Sequence, residues 1–106
     1  MPCATAKIGK TVLAETDQWE SVEGNIYFPR SSLKDSTGAF SLVKSDASTN
    51  CPWKGKASYY NIVIAETGTV ISEAAWYYAE PHKAAQNIKD YVAFYKNKVD
   101  VVVVVE

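Results

Sequence analysis

Side-chain alternation between residues 57 and 78 constrains the fold more than any other feature of this sequence. Over residues 57–66, Tyr60, Ile62 and Ile64 point one way and Tyr59, Asn61 and Val63 the other. That period of two belongs to a β-strand. Thr67-Gly68 makes a tight turn into Thr69-Val70-Ile71, which predicts a hairpin. Residues 74–78 alternate again, with Trp76 and Tyr78 on one face and Ala75 and Tyr77 on the other. A chain with this centre is built around an antiparallel sheet.

The flanking segments extend the same pattern. Residues 11–16 read as a short strand ending in a polar turn at Asp17-Gln18, and residues 19–28 as strand–turn–strand punctuated by Glu23-Gly24-Asn25. Residues 29–34 fit one helical turn, broken by Asp35-Ser36-Thr37-Gly38. Residues 39–44 read as a strand and 45–56 as a loop rich in Ser, Thr, Asn, Pro and Gly. One segment has helical spacing: Ala84, Ala85, Ile88, Tyr91 and Val92 fall on one stripe, predicting a helix from about His82 to about Asp90. Residues 91–95 and 99–105 complete the chain as strands. The predicted fold is mainly β (α+β), antiparallel, with one helix in the C-terminal half. Residues 1–10 read as a flexible leader and residues 11–106 as a single domain.

Composition narrows the function classes. The 106 residues are 47% hydrophobic and 22% charged, which is a globular composition and excludes disorder as the main state. Eleven basic against twelve acidic side chains leave no basic footprint for nucleic acid and none for a membrane surface. The N-terminus lacks an apolar signal region, and Cys3 and Cys51 form neither a disulfide framework nor a Cys-x-x-Cys zinc pair. These features predict a reduced, cytoplasmic protein without cofactor or metal. The run Val101-Val102-Val103-Val104-Val105, flanked by Asp100 and Glu106, reads as a buried core strand. Its alternative reading is a strand at a subunit interface, making a homodimer.

Three blocks carry a family resemblance. Cys51-Pro52-Trp53-Lys54-Gly55-Lys56-Ala57-Ser58-Tyr59-Tyr60 resembles the central signature of the family called domain of unknown function 427. Ala74-Ala75-Trp76-Tyr77-Tyr78 with Glu80-Pro81 and Ala84-Ala85 resembles its second block, and Tyr91-Val92-Ala93-Phe94-Tyr95 with Val99-Asp100 its third. Upstream, Glu23 and Tyr27-Phe28-Pro29, then Ser45-Asp46 and Thr49, match in order and spacing. The likeness covers about residues 11–106. It implies an architecture similar to the Mss4-like β-tent group, in which small antiparallel sheets pack around a cleft. Many β-tent relatives hold zinc on two Cys-x-x-Cys knuckles, which this chain lacks, so no zinc site is carried over. A nucleotidyltransferase-like label also attaches to the family. The Gly-Ser pair and Asp-x-Asp that such transferases use to hold magnesium are missing from this sequence.

The Cys51–Gly55 loop is the leading site candidate. Pro52 stiffens it, and Gly55 permits a backbone conformation denied to other residues. A Cys51 thiolate beside Lys54 would be a stabilised nucleophile, whereas the bland alternative is a packed thiol with Lys54 capping the loop. Glu23, in a turn before Tyr27-Phe28, would gain acid–base character against aromatic walls, or else be an ordinary acidic turn residue. Tyr27, Trp53, Tyr59, Tyr60, Trp76 and Tyr78 are the predicted pocket lining, flat apolar walls with polar tips. Taken singly, each is equally a core residue. His82, the sole histidine, is expected to be exposed. Three functions follow: a module binding a small planar or cationic organic ligand, a small enzyme using Glu23 and Lys54 with Cys51 as nucleophile, or a peptide-binding domain.

Overall fold

A computed structural model describes residues 2–104 of the chain. Nine strands form two antiparallel sheets: β1 Cys3–Ile8, β2 Thr11–Thr16, β3 Glu20–Val22, β4 Asn25–Phe28, β5 Phe40–Cys51, β6 Gly55–Ile64, β7 Val70–Tyr77, β8 Val92–Phe94 and β9 Asp100–Val104. The six-stranded sheet runs β3-β4-β8-β7-β6-β5, and the three-stranded sheet runs β2-β1-β9. The hairpin expected at Thr67-Gly68 joins β6 to β7, where the Gly68 amide donates to the Ile64 carbonyl.

Both faces of the larger sheet are covered, each by a different cluster. Tyr60, Ala75, Phe94 and Ile26 share the face that packs with Phe28, Phe40, Ile62 and Val92 against Ala4, Ala6, Leu13 and Ala14 of the smaller sheet. Alanines at positions 4, 6 and 14 let the two sheets approach closely, and all three are fully buried. Tyr27, Ala57, Tyr59, Trp76, Tyr78 and Ala93 occupy the opposite face, beneath Ala85 and Ile88. One face thus makes the main hydrophobic core between the sheets, and the other carries the cluster of Tyr27, Tyr59, Trp76 and Tyr78.

Four expectations are corrected. The leader is not loose: Cys3–Ile8 is the central strand of the smaller sheet, paired with both β2 and β9. Its alternation of small Ala4 and Ala6 with Thr5 and Lys7 is a weak signal, because alanine has little strand preference. The loop expected over 45–56 is mostly strand, since β5 continues through an irregularity between Lys44 and Ser48 to Cys51. The expected helix is a 3₁₀ segment, Lys83–Ile88, broken at Ala85, whose φ of −121° and ψ of 22° are not helical. A segment this short gains little from helical hydrogen bonds, and burial of Ala85 and Ile88 dictates its path instead. Finally, β9 is an edge strand and not a central one. Val102 and Val104 are 47% and 50% exposed; Val105 lies outside the described residues. Among the described residues, no helix is long and apolar enough to cross a membrane.

Candidate functional site

The register of the larger sheet builds the site. Tyr59 pairs with Trp76, Trp76 with Ala93, and Ala93 with Tyr27, so these four side chains cross the sheet in one row on one face. Ala93 is the small member, and over it the Trp76 indole N–H donates to the Tyr27 hydroxyl at 3.2 Å. The two rings meet edge to face with centroids 6.1 Å apart. Tyr95 follows β8 on the same face and lies 4.6 Å from Trp76, centroid to centroid. Its ring is nearly parallel to Tyr59, at 6.4 Å. The Tyr59 hydroxyl is in turn fixed to Thr49 Oγ1 at 2.8 Å. Rings held at both edge and tip have little conformational freedom left.

The β5–β6 turn delivers a charge to this row. Cys51 and Gly55 pair at its base, leaving Pro52-Trp53-Lys54 as the turn. Gly55 has a φ of 106°, a region closed to side chains, and the His82 amide donates to the Lys54 carbonyl at 2.9 Å. Lys54 is thereby turned inward and is only 9% exposed. Its ammonium lies 5.7 Å from the Tyr78 ring centroid and 5.4 Å from that of Trp53. Glu23 accepts its hydrogen bond.

Glu23 reaches this position from a strained backbone. Glu23 and Gly24 form the two-residue turn between β3 and β4, both at positive φ, 53° and 79°. That geometry favours Asn, Asp or Gly, and a glutamate there costs roughly 1–2 kcal/mol. Glu73 and Asp90 have similar positive φ values, so what distinguishes Glu23 is its bond to Lys54. Lys96 Nζ donates to the Gly24 carbonyl at 2.6 Å, tying the loop after β8 to the same turn.

The surroundings set the protonation of these groups. Burial lowers the pKa of Lys54, but the bond to Glu23 and the neighbouring Tyr27 and Tyr78 outweigh it and raise it to about 12 from 10.5. Burial, then the hydrogen bond with Tyr59, raises Tyr95 to about 12 from 10.0. Burial also raises Tyr78, partly opposed by Lys54. At neutral pH the site therefore holds a charged ammonium and protonated phenols. Groups raised on folding contribute stability that is complete below their unfolded pKa and disappears as pH rises through the folded one. Stability is expected to fall between pH 10.0 and about 12, the range spanned by these two groups. Denaturant titration across that range should show a shallower fall for Lys54→Met and for Tyr95→Phe.

Together these residues border an open cleft of about 450 Å³, lined by Asn25, Lys54, Tyr59, Trp76, Tyr78, Tyr95, Lys96 and Asn97. A family model described as Domain of unknown function (DUF427) matches residues 4–105. The chain belongs to the DUF427 family. The match takes in β1 as well as the motif blocks, so the N-terminal strand is part of the DUF427 domain. No curated protein matches the chain.

Within this DUF427 domain, four residues expected at a site, Lys54, Tyr59, Trp76 and Tyr78, line the cleft, and two more, Glu23 and Tyr27, stand behind it, bonded to Lys54 and Trp76. Trp53 stands beside Lys54 but is 41% exposed and does not line the cleft. Tyr60 is displaced altogether. It lies on the opposite face, stacked on Tyr77 at 4.5 Å, because neighbours in a strand cannot share a face with Tyr59. Cys51 is a half-buried free thiol at the end of β5, and the Lys54 ammonium is bonded to Glu23 rather than to it. Cys3 is free as well. His82 is exposed and contributes only its backbone. Among the described residues, no three His, Cys, Asp or Glu side chains cluster as metal ligands.

Asn25, Tyr95, Lys96 and Asn97 line the cleft in addition to the residues that the sequence singles out. Tyr95 had a signal, since two-residue alternation from Ala93 places it on the aromatic face. The other three sit at a strand start or in a loop, where no periodicity identifies them.

Proposed function

We propose that this DUF427 domain is a small-molecule-binding module whose cleft takes a planar organic ligand against Trp76, Tyr59 and Tyr95. The supporting observation is a desolvated, charged lysine held among aromatic rings that are fixed by their own hydrogen bonds. A core needs no ammonium, and a merely solvated lysine would not be turned inward. The enzyme reading is less well supported. Lys54, at about 12, keeps its proton and serves as an electrostatic anchor, not as a base or nucleophile. A nucleophilic Cys51 lacks the activating partner expected for it, because Glu23 holds that ammonium.

A fragment screen read by the nitrogen–proton correlation spectrum tests this reading. The Trp76 indole N–H, assigned with Trp76→Phe, is expected to shift with planar fragments together with the amides of Lys54 and Tyr95. Shifts confined to exposed Trp53, or scattered over the smaller sheet, would contradict it.

For β9 we infer self-pairing with a second copy. Among the described residues, its outer edge pairs with no other strand and, from Val101 to Val104, carries no charge. Two such edges in antiparallel contact would join both three-stranded sheets and set valine against valine. Sedimentation is expected to show a concentration-dependent dimer for the native chain and a monomer for Val103→Lys. A native chain that stays monomeric at the highest attainable concentration would rule this out.

A further inference from the structure

Resting on that reading of the cleft, we propose that its ligand is an anion: a planar aromatic or heteroaromatic carboxylate anchored by Lys54 and Lys96. The charge of the lining points this way. Two ammonium groups line the cleft against one carboxylate beside it, Glu23, which pairs with Lys54, and the remaining polar lining groups are amides, phenols and an indole. A cation would benefit from the aromatic faces but would meet a net positive charge, since Glu23 offsets only one of the two ammonium groups.

Hydrogen-bonding capacity agrees with charge. A lysine ammonium has three N–H donors. Lys54 donates to Glu23 and is close enough to the Tyr78 hydroxyl to oppose its raised pKa, and Lys96 donates to the Gly24 carbonyl. Both acceptors belong to the same two-residue turn, so the turn holds the two ammonium groups near one end of the cleft and leaves further donors on each. Neither the Asn25 nor the Asn97 amide is engaged by another described residue, and both line the same space. Burial raises the pKa of Tyr78 and, with the Tyr59 hydrogen bond, that of Tyr95, so both phenols stay neutral and do not repel a carboxylate.

The geometry gives each part of such a ligand a place. The ring lies against Trp76 and Tyr95, and the carboxylate meets the N–H donors of Lys54 and Lys96 that Glu23 and the Gly24 carbonyl leave free. Glu23 is 54% exposed at its side chain, so it can yield part of its hold on Lys54 to the ligand while staying solvated. This also gives the strained turn a role: it sets a counter-charge that keeps the ammonium in place without filling the cleft.

Calorimetry with matched probes separates this inference from the reading beneath it. Benzoate is compared with benzamide, nicotinate with nicotinamide, and salicylate with salicylamide, which differ little in shape but do differ in charge. A charge-assisted bond is worth about 10–100-fold in affinity. Each acid is expected to bind about that much more tightly than its amide, with affinity that weakens as salt is raised. The margin should disappear in Lys54→Met and shrink in Lys96→Met, which alters an exposed residue and leaves the fold intact. Acids and amides that bind equally well would overturn the anionic assignment and leave the aromatic cleft standing. Failure of every acid and every amide to bind would overturn both.

Discussion

Trp76→Ala is expected to destabilise the domain by about 3–5 kcal/mol, the usual cost of deleting a buried tryptophan. For a domain of this size, that lowers the thermal midpoint by more than about 12 °C. The reason lies in the register row. Trp76 is the central ring, buried between Tyr59 and Ala93, edge-on to Tyr27 and 4.6 Å from Tyr95. Its removal opens a cavity and strips the fully buried Tyr27 hydroxyl of its donor. Trp76→Phe separates the two losses: it keeps an aromatic ring and deletes the hydrogen bond, for a cost of about 1–3 kcal/mol. Thermal melts of both variants should therefore rank native, then Phe, then Ala. Similar melting of the Ala and Phe variants would show that the hydrogen bond, and not the ring, holds the row together.

The second large effect is expected at Gly55. Its φ of 106° is closed to side chains, and a Cβ there would lie 3.3 Å from the His82 backbone nitrogen and 3.4 Å from the Glu80 carbonyl oxygen. Both contacts are backbone, so neither can turn aside. Gly55→Ala is expected to cost about 1–3 kcal/mol in conformational strain. It also separates the His82 amide from the Lys54 carbonyl that it bonds. The functional consequence should exceed the loss of stability. With the turn displaced, Lys54 swings out of the aromatic cage, and binding falls even where the domain remains folded. Denaturant titration reads the first effect, and the Trp76 indole shift on adding a planar fragment reads the second. A Gly55→Ala protein with native stability and unaltered binding would show that the turn tolerates another shape.

Much of this architecture could be read from the sequence because a strand's period is simple. Alternation placed Trp76 with Tyr78, and Tyr60 with Ile62 and Ile64, on the faces they occupy. The same rule should have excluded Tyr60 from any site containing Tyr59, since adjacent residues point to opposite faces. Elsewhere, packing overrode local signals. The stripe Ala84, Ala85, Ile88 has helical spacing, but two apolar contacts over six residues do not sustain an α-helix beneath a sheet. The valine run looked like a central strand, yet its place in the sheet order depends on pairing with β1, a segment of modest strand character. The pairing of Glu23 with Lys54 joins positions 31 residues apart, and no local pattern encodes it. Each residue stands out in its own turn, and the fold supplies their meeting.

Native mass spectrometry of the gently purified full chain, followed by the same sample denatured, tests most directly whether the aromatic cleft is a binding site. The expected result is a bound small organic mass, retained in the native spectrum, lost on denaturation and missing from Lys54→Met purified in parallel. A native spectrum showing only the bare chain, unchanged after incubation with planar acids and amides, would contradict it and return the aromatic cluster to the role of a second hydrophobic core.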